Sequence, residues 1–168
     1  MSNLEECIIK AHEDGLADHI AVRVGKGEQI LNDCFYSADY EINSKTLFDM
    51  ASVTKIMVTT MLTLIAADRK LLNFDDKVNR FFPCPKDKSE LTIKHLLTHT
   101  MGYGHRSLCE KGNTYDNIQN YILSLPCDFP VGTKVDYSCP GFILLGKILE
   151  KVFGDRLDRL FISLIAAP

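Results

Sequence analysis

The sequence predicts an α+β fold in which an N-terminal helix and a β-hairpin precede a mostly helical region. Three observations carry this. Strand-like alternation is confined to the stretch "HIAVRVGKGEQILNDCFYS" near the N-terminus. No third β-prone run follows it. Beyond Ser52 the apolar residues come instead in blocks that suit buried helices, separated by Pro and Gly. With 168 residues the chain is sized for one domain able to bury a core.

The elements can be justified in order. Ser2-x-x-Glu5 reads as a capping box, after which Leu4, Ile8 and Ala11 share a helical face and Gly15 supplies a stop. Ile20, Val22 and Val24 alternate with Ala21 and Arg23, and Gly25-Lys26-Gly27 turns the chain into a second run, Gln29 to Tyr36. A two-stranded sheet is marginal by itself, and its open edges invite self-association. The apolar stretch from Val53 to Ala67 is too long for a strand and predicts a buried helix. "RKLLNFDDKVNRFFPCP" predicts a turn and an irregular stretch stopped by Pro83 and Pro85. Thr92 is placed to cap a short helix in "LTIKHLLTHT", and Asp116 to Leu125 predicts another. "DFPVGTKVDYSCPG" reads as loop, Phe142 to Phe153 as a helix ended by Gly154, and Asp155 to Ile165 as a last helix.

The bulk numbers exclude more than they assign. Lys and Arg total 19 against 22 Asp and Glu, a net charge of −3, and no basic block offers a nucleic-acid surface. No stretch approaches the ~18 apolar residues of a membrane span. The acidic N-terminus "MSNLEECIIKAHEDG" lacks the form of a secretory signal, so a cytoplasmic location is the expectation. The six cysteines, Cys7, Cys34, Cys84, Cys109, Cys127 and Cys139, form no C-x-x-C pair and read as free thiols.

Chemistry centres on "FDMASVTK", Phe48 to Lys55. Residues three apart on a helix share a face, about 5–6 Å between Cβ atoms. A serine at a helix start meets unpaired N–H groups and the positive end of the dipole, which favour an alkoxide and a developing oxyanion. A lysine one turn later can take the hydroxyl proton if burial lowers its pKa. Ser52 and Lys55 therefore make physical sense as nucleophile and partner. The bland alternative is a capping serine beside a solvated lysine, since S-x-x-K arises readily by chance.

The surrounding text weighs between these. "FDMASVTKIMVTTMLTLIAADRKLLNFDDKVNRFFP", "LTIKHLLTHTMGYG" and "FPVGTKVDYSCPGFILLGKILEKVFG" resemble, in order and spacing, the serine beta-lactamase-related family of class C beta-lactamases, D-alanyl-D-alanine carboxypeptidases and esterases. The resemblance runs from about Ile20 to about Leu160. It implies a beta-lactamase/transpeptidase-like fold and an acyl-enzyme mechanism without a cofactor or metal. It further implies Ser52 as the acylated nucleophile, Lys55 as its partner and Tyr137, in Tyr137-Ser138-Cys139, as the phenolic acid/base. A phenol beside an ammonium can give up its proton and shuttle it between nucleophile and leaving group. Tyr115-Asp116-Asn117 is a literal Tyr-x-Asn but lacks the neighbouring Pro-x-Gly-Thr and Gly-rich helix start of Tyr137.

Two features depart from the family pattern. Cys139 stands at the substrate-binding position where the family has asparagine, and a thiol is a poor hydrogen-bonder. The third motif, Lys-Thr-Gly or His-x-Gly, is nowhere in the chain. In the family it supplies a second oxyanion donor, whose loss costs about 10²–10³ in rate. The expectation is one partial domain over residues 1–168, corresponding to roughly the N-terminal half of a serine hydrolase. Its substrate would be a small molecule or peptide, with no nucleic-acid or membrane partner. The rival is a catalytically inactive remnant with a binding role or none. A second enzyme class, zinc hydrolysis through His95 and His99, lacks the glutamate of a zincin, because Leu96 follows His95.

Overall fold

A computed structural model describes residues 3–104, 106, 108 and 117–167. Ser2, Cys109 and the Tyr115-Asp116 pair lie outside the described residues. The architecture is α+β, and the chain forms two compact units, Met1–Asp49 and Met50–Pro168.

In the first unit, α1 (Asn3–Glu13) precedes the antiparallel hairpin β1 (His19–Lys26) and β2 (Gln29–Ser37). The register pairs His19 with Ser37 and Lys26 with Gln29, and it shifts between Val24 and Gly25, leaving Leu31 as the extra residue of a bulge. A bulge of this kind adds local twist, and it explains why the simple alternation fails beyond Val24. Ile8, Cys34 and Ile42 are the buried apolar residues of this unit. Among the described residues the sheet holds these two strands.

The second unit is helical. Residues 53–68 form one helical stretch in which a π-helical segment, Lys55–Thr60, runs into α2 (Met61–Asp68). Then come α3 (Ile93–Leu97), α4 (Ile118–Ser124), α5 (Cys139–Phe153), α6 (Leu157–Phe161) and a closing π segment, Ile162–Ala166. The core gathers around α5, whose Leu144, Leu145, Ile148 and Leu149 are fully buried with Leu62, Leu72, Ile93 and Leu96. Full burial of each such side chain is worth about 1.5–3 kcal/mol, so this cluster holds the unit together. The helix over 53–68 is less buried than the sequence predicts. Leu62, Thr63 and Ala66 face the core, while Ile56, Met57 and Leu64 are exposed.

α3 begins as expected, since the Thr92 hydroxyl accepts from His95 N–H and the His95 ring accepts from Thr92 N–H at 3.2 Å. α5 starts three residues earlier than the sequence reading. Ser138 is its N-cap, accepting from Gly141 N–H at 3.2 Å, and Pro140 sits in the first turn, where its missing N–H costs nothing. It ends at Gly154, whose φ of 73° is the left-handed conformation a glycine cap supplies. No helix among the described residues is long and apolar enough to cross a membrane.

Candidate active site

Ser52 stands one residue after a turn made unusual by Ala51, which has a φ of 42°. Left-handed backbone costs a residue with a Cβ roughly 1–2 kcal/mol, and such strain concentrates at functional sites. Lys55 opens the π-helical segment, a wide turn that recurs at functional sites as well. The lysine ammonium donates to Ser52 Oγ at 3.2 Å. Tyr137, 85 residues along the chain, brings its phenol to the same oxygen, with Oη donating at 2.7 Å. The ammonium also lies 5.1 Å from the centre of the Tyr137 ring. The hydroxyl, amine and phenol therefore meet on one atom.

The electrostatics differ from the sequence expectation in one respect. Burial pulls the Lys55 pKa down, but hydrogen bonds and charge interactions with Tyr137 and Cys139 outweigh it, and the net shift is upward. The physical reason is incomplete desolvation: the lysine is only partly buried, so burial does not outweigh the groups that stabilise its charge. Lys55 therefore stays an ammonium at neutral pH. Cys139, the first residue of α5, reaches Lys55, and the two line one cavity.

Tyr137 is exposed, and what holds it is its frame. His99 O accepts Asp136 N–H at 2.8 Å, and His99 Nδ1 accepts Ser138 N–H at 3.0 Å, so one histidine grips both neighbours of the tyrosine. The His99 ring also packs on Tyr137 and Phe142, with centroids 4.7 and 5.0 Å apart. On the other side, Gly104 lies so close to Asp136 that a Cβ there would collide with its carboxylate. Burial, and then the charge of Lys55, lower the His99 pKa, keeping the ring neutral and able to accept. The zinc alternative finds no support here, because His95 and His99 each engage Nδ1 with a backbone N–H. Among the described residues no cluster of three or more His, Cys, Asp or Glu could hold a metal ion.

Sequence reasoning named Ser52, Lys55, Tyr137 and Cys139, and all four are brought together. It missed the gripping role of His99 and the cap at Ser138. The cap had a signal, a serine two residues before a proline at the head of an apolar run. The grip had none, because it depends on His99 adopting a φ of 56°.

A model of the Beta-lactamase family matches residues 9–168. The chain belongs to the beta-lactamase family. Esterase EstB of Burkholderia gladioli is 32% identical to this family member over 183 aligned positions, covering 93% of the chain and 46% of the esterase. The N-acetylmuramyl-L-alanine amidase of Bacillus subtilis (strain 168) is 30% identical over 134 residues, covering 70% of the chain and 30% of the amidase. In structure, a class C beta-lactamase from Rhodobacter sphaeroides superposes with a TM-score of 0.82 at 22% identity, over 98% of the chain and 48% of that protein. At that identity the likeness is one of fold, and it is the beta-lactamase/transpeptidase-like fold expected from the motifs. The chain spans less than half the length of each of these relatives.

Proposed function

We propose that this chain carries the acylation centre of a serine hydrolase acting on an amide or ester: a β-lactam, a D-alanyl peptide or an ester. The observation that carries the reading is the convergence of Lys55 Nζ and Tyr137 Oη on Ser52 Oγ. Ser52 is the nucleophile. Since Lys55 remains charged, it is not the base; Tyr137, whose Oη lies 2.7 Å from Ser52 Oγ, is the group within reach, and it serves as base in its phenolate form. Tyr137 then takes the Ser52 proton as Oγ bonds to the carbonyl carbon, and returns it to the leaving amine or alcohol as that bond breaks. The product is an acyl-enzyme ester on Ser52. Relatives named as an esterase and an amidase fit a centre indifferent to which of the two bonds it opens. The reading includes a cytoplasmic location.

A second reading, a folded chain that binds without acylating, is favoured by the absence of Lys-Thr-Gly and His-x-Gly from the sequence. Incubation with a fluorescent penicillin and a fluorophosphonate separates the two. The hydrolase reading expects covalent labelling that disappears in Ser52→Ala. A folded wild-type chain that labels with neither probe supports the second reading and overturns the first.

A further inference from the structure

A cavity of about 420 Å³ adjoins the Ser52 centre, lined within the second unit by Thr54, Lys55, Cys139, Phe142, Ile143 and Leu157. That volume lies within the range of small-molecule sites, roughly 300–1,000 Å³. Two of its lining residues, Lys55 and Cys139, belong to the cluster around the nucleophile, so the cavity borders that cluster at these two side chains. The surface the rest of its wall presents is mainly apolar, with Ile118, Phe142, Ile143 and Leu157 set among two threonines and Gly146. The other charges in its wall are satisfied within the protein: Lys147 Nζ donates to Glu150 Oε2 at 3.2 Å, and Glu150 Oε1 accepts Leu157 N–H at 3.0 Å. The ammonium of Lys55 is likewise directed at Ser52 Oγ. A charged ligand group would enter this cavity with its natural partners already engaged, whereas an apolar group gains by leaving water.

We propose that the cavity takes the apolar acyl chain of an ester or amide whose carbonyl lies at Ser52. The inference rests on the acyl-transfer reading for the identity of the reacting bond, and it adds the substrate class: medium-chain or aryl acyl groups in preference to acetyl. Each methylene that enters is worth about a fourfold gain in binding.

Binding can be measured without turnover. Ser52→Ala is titrated by calorimetry with octanamide, which is uncharged so that Lys55 cannot attract it by charge, and with acetamide as the chainless control. Octanamide is expected to bind at least tenfold tighter than acetamide. Adding Ile143→Trp, a half-exposed position where the larger ring fills the cavity, is expected to remove at least tenfold of that affinity. Gly146→Leu fills the same space from the next turn of α5 and serves as the second variant should the first unfold. Equal binding of the two amides, or octanamide affinity unchanged by a folded filled variant, overturns the inference. Octanamide binding in a wild-type chain that labels with neither acylating probe would leave the cavity assignment standing and sink the hydrolase reading instead.

Discussion

His99 O accepts Asp136 N–H and His99 Nδ1 accepts Ser138 N–H, so the position of the Tyr137 phenol depends on a side chain that never touches the nucleophile. His99→Ala keeps the backbone contact and loses the ring, and acylation of Ser52 is expected to slow by about tenfold to a hundredfold for a misplacement near 1 Å. His99→Asn should restore much of the loss, because asparagine tolerates positive φ and offers a short acceptor to Ser138. Stopped-flow labelling of the three proteins checks this, and equal rates in all of them would remove His99 from the site. Tyr137→Phe deletes only the hydroxyl of an exposed ring, so the thermal midpoint should hold while labelling falls by about 10²–10⁴. The same probe applied to both variants separates loss of the proton carrier from loss of its frame.

At the scale of elements, α5 joins core to site: Leu144 to Leu149 anchor it, while its cap, Ser138, and first residue, Cys139, meet the cluster. Ser138 is fully buried, and besides capping Gly141 N–H it contacts Met101 Sδ at 3.1 Å. Ser138→Ala should cost about 1 kcal/mol, seen as a fall of about 2–4 °C in thermal midpoint. A midpoint unchanged within 1 °C would show that α5 does not depend on this cap. The elements readable from the sequence were those whose signals are local. The hairpin follows from alternation around Gly25 to Gly27, and the end of α5 from Gly154. The start of α5 was misread because Pro140 and Gly141 look like breakers until their places in a first turn are known. The π-helical turn at Lys55 and the exposed face carrying Ile56 and Leu64 were invisible, since composition alone cannot tell a helix buried all round from one buried on one side. Ser52 and Lys55 were legible because three residues span one helical turn. Tyr137 was legible only through family resemblance, because nothing local links residues 85 apart.

For the molecule as a whole, the shifted groups fix a pH window of stability. His95 and His99 are both lowered, each first by burial, His95 also by Lys94 and His99 by Lys55. The unfolded chain therefore binds more protons than the native one as the pH drops below the ordinary 6.5. Their contribution is complete above 6.5 and is lost as the pH falls through the lower native values. The other limb runs the opposite way. Burial raises Cys84 and Cys127 above the ordinary 9.0, and burial raises Tyr103, whose hydroxyl donates to Ile122 O at 2.6 Å, above the ordinary 10.0. Here the unfolded chain gives up its protons first, so this stability is complete below about pH 9 and declines as the pH rises beyond it. Thermal midpoints should thus form a plateau between about pH 6.5 and 9, with a decline on either side. Protonation of carboxylates also lowers stability in acid, but it sets in near pH 4, and the histidines can be isolated from it. A His95→Gln, His99→Gln double variant should start lower, lose the decline between pH 6.5 and 5, and keep the one below pH 4. A wild-type midpoint flat from pH 7 to 5 would mean that neither histidine is held neutral by the fold, and the frame around Tyr137 would lose its electrostatic basis.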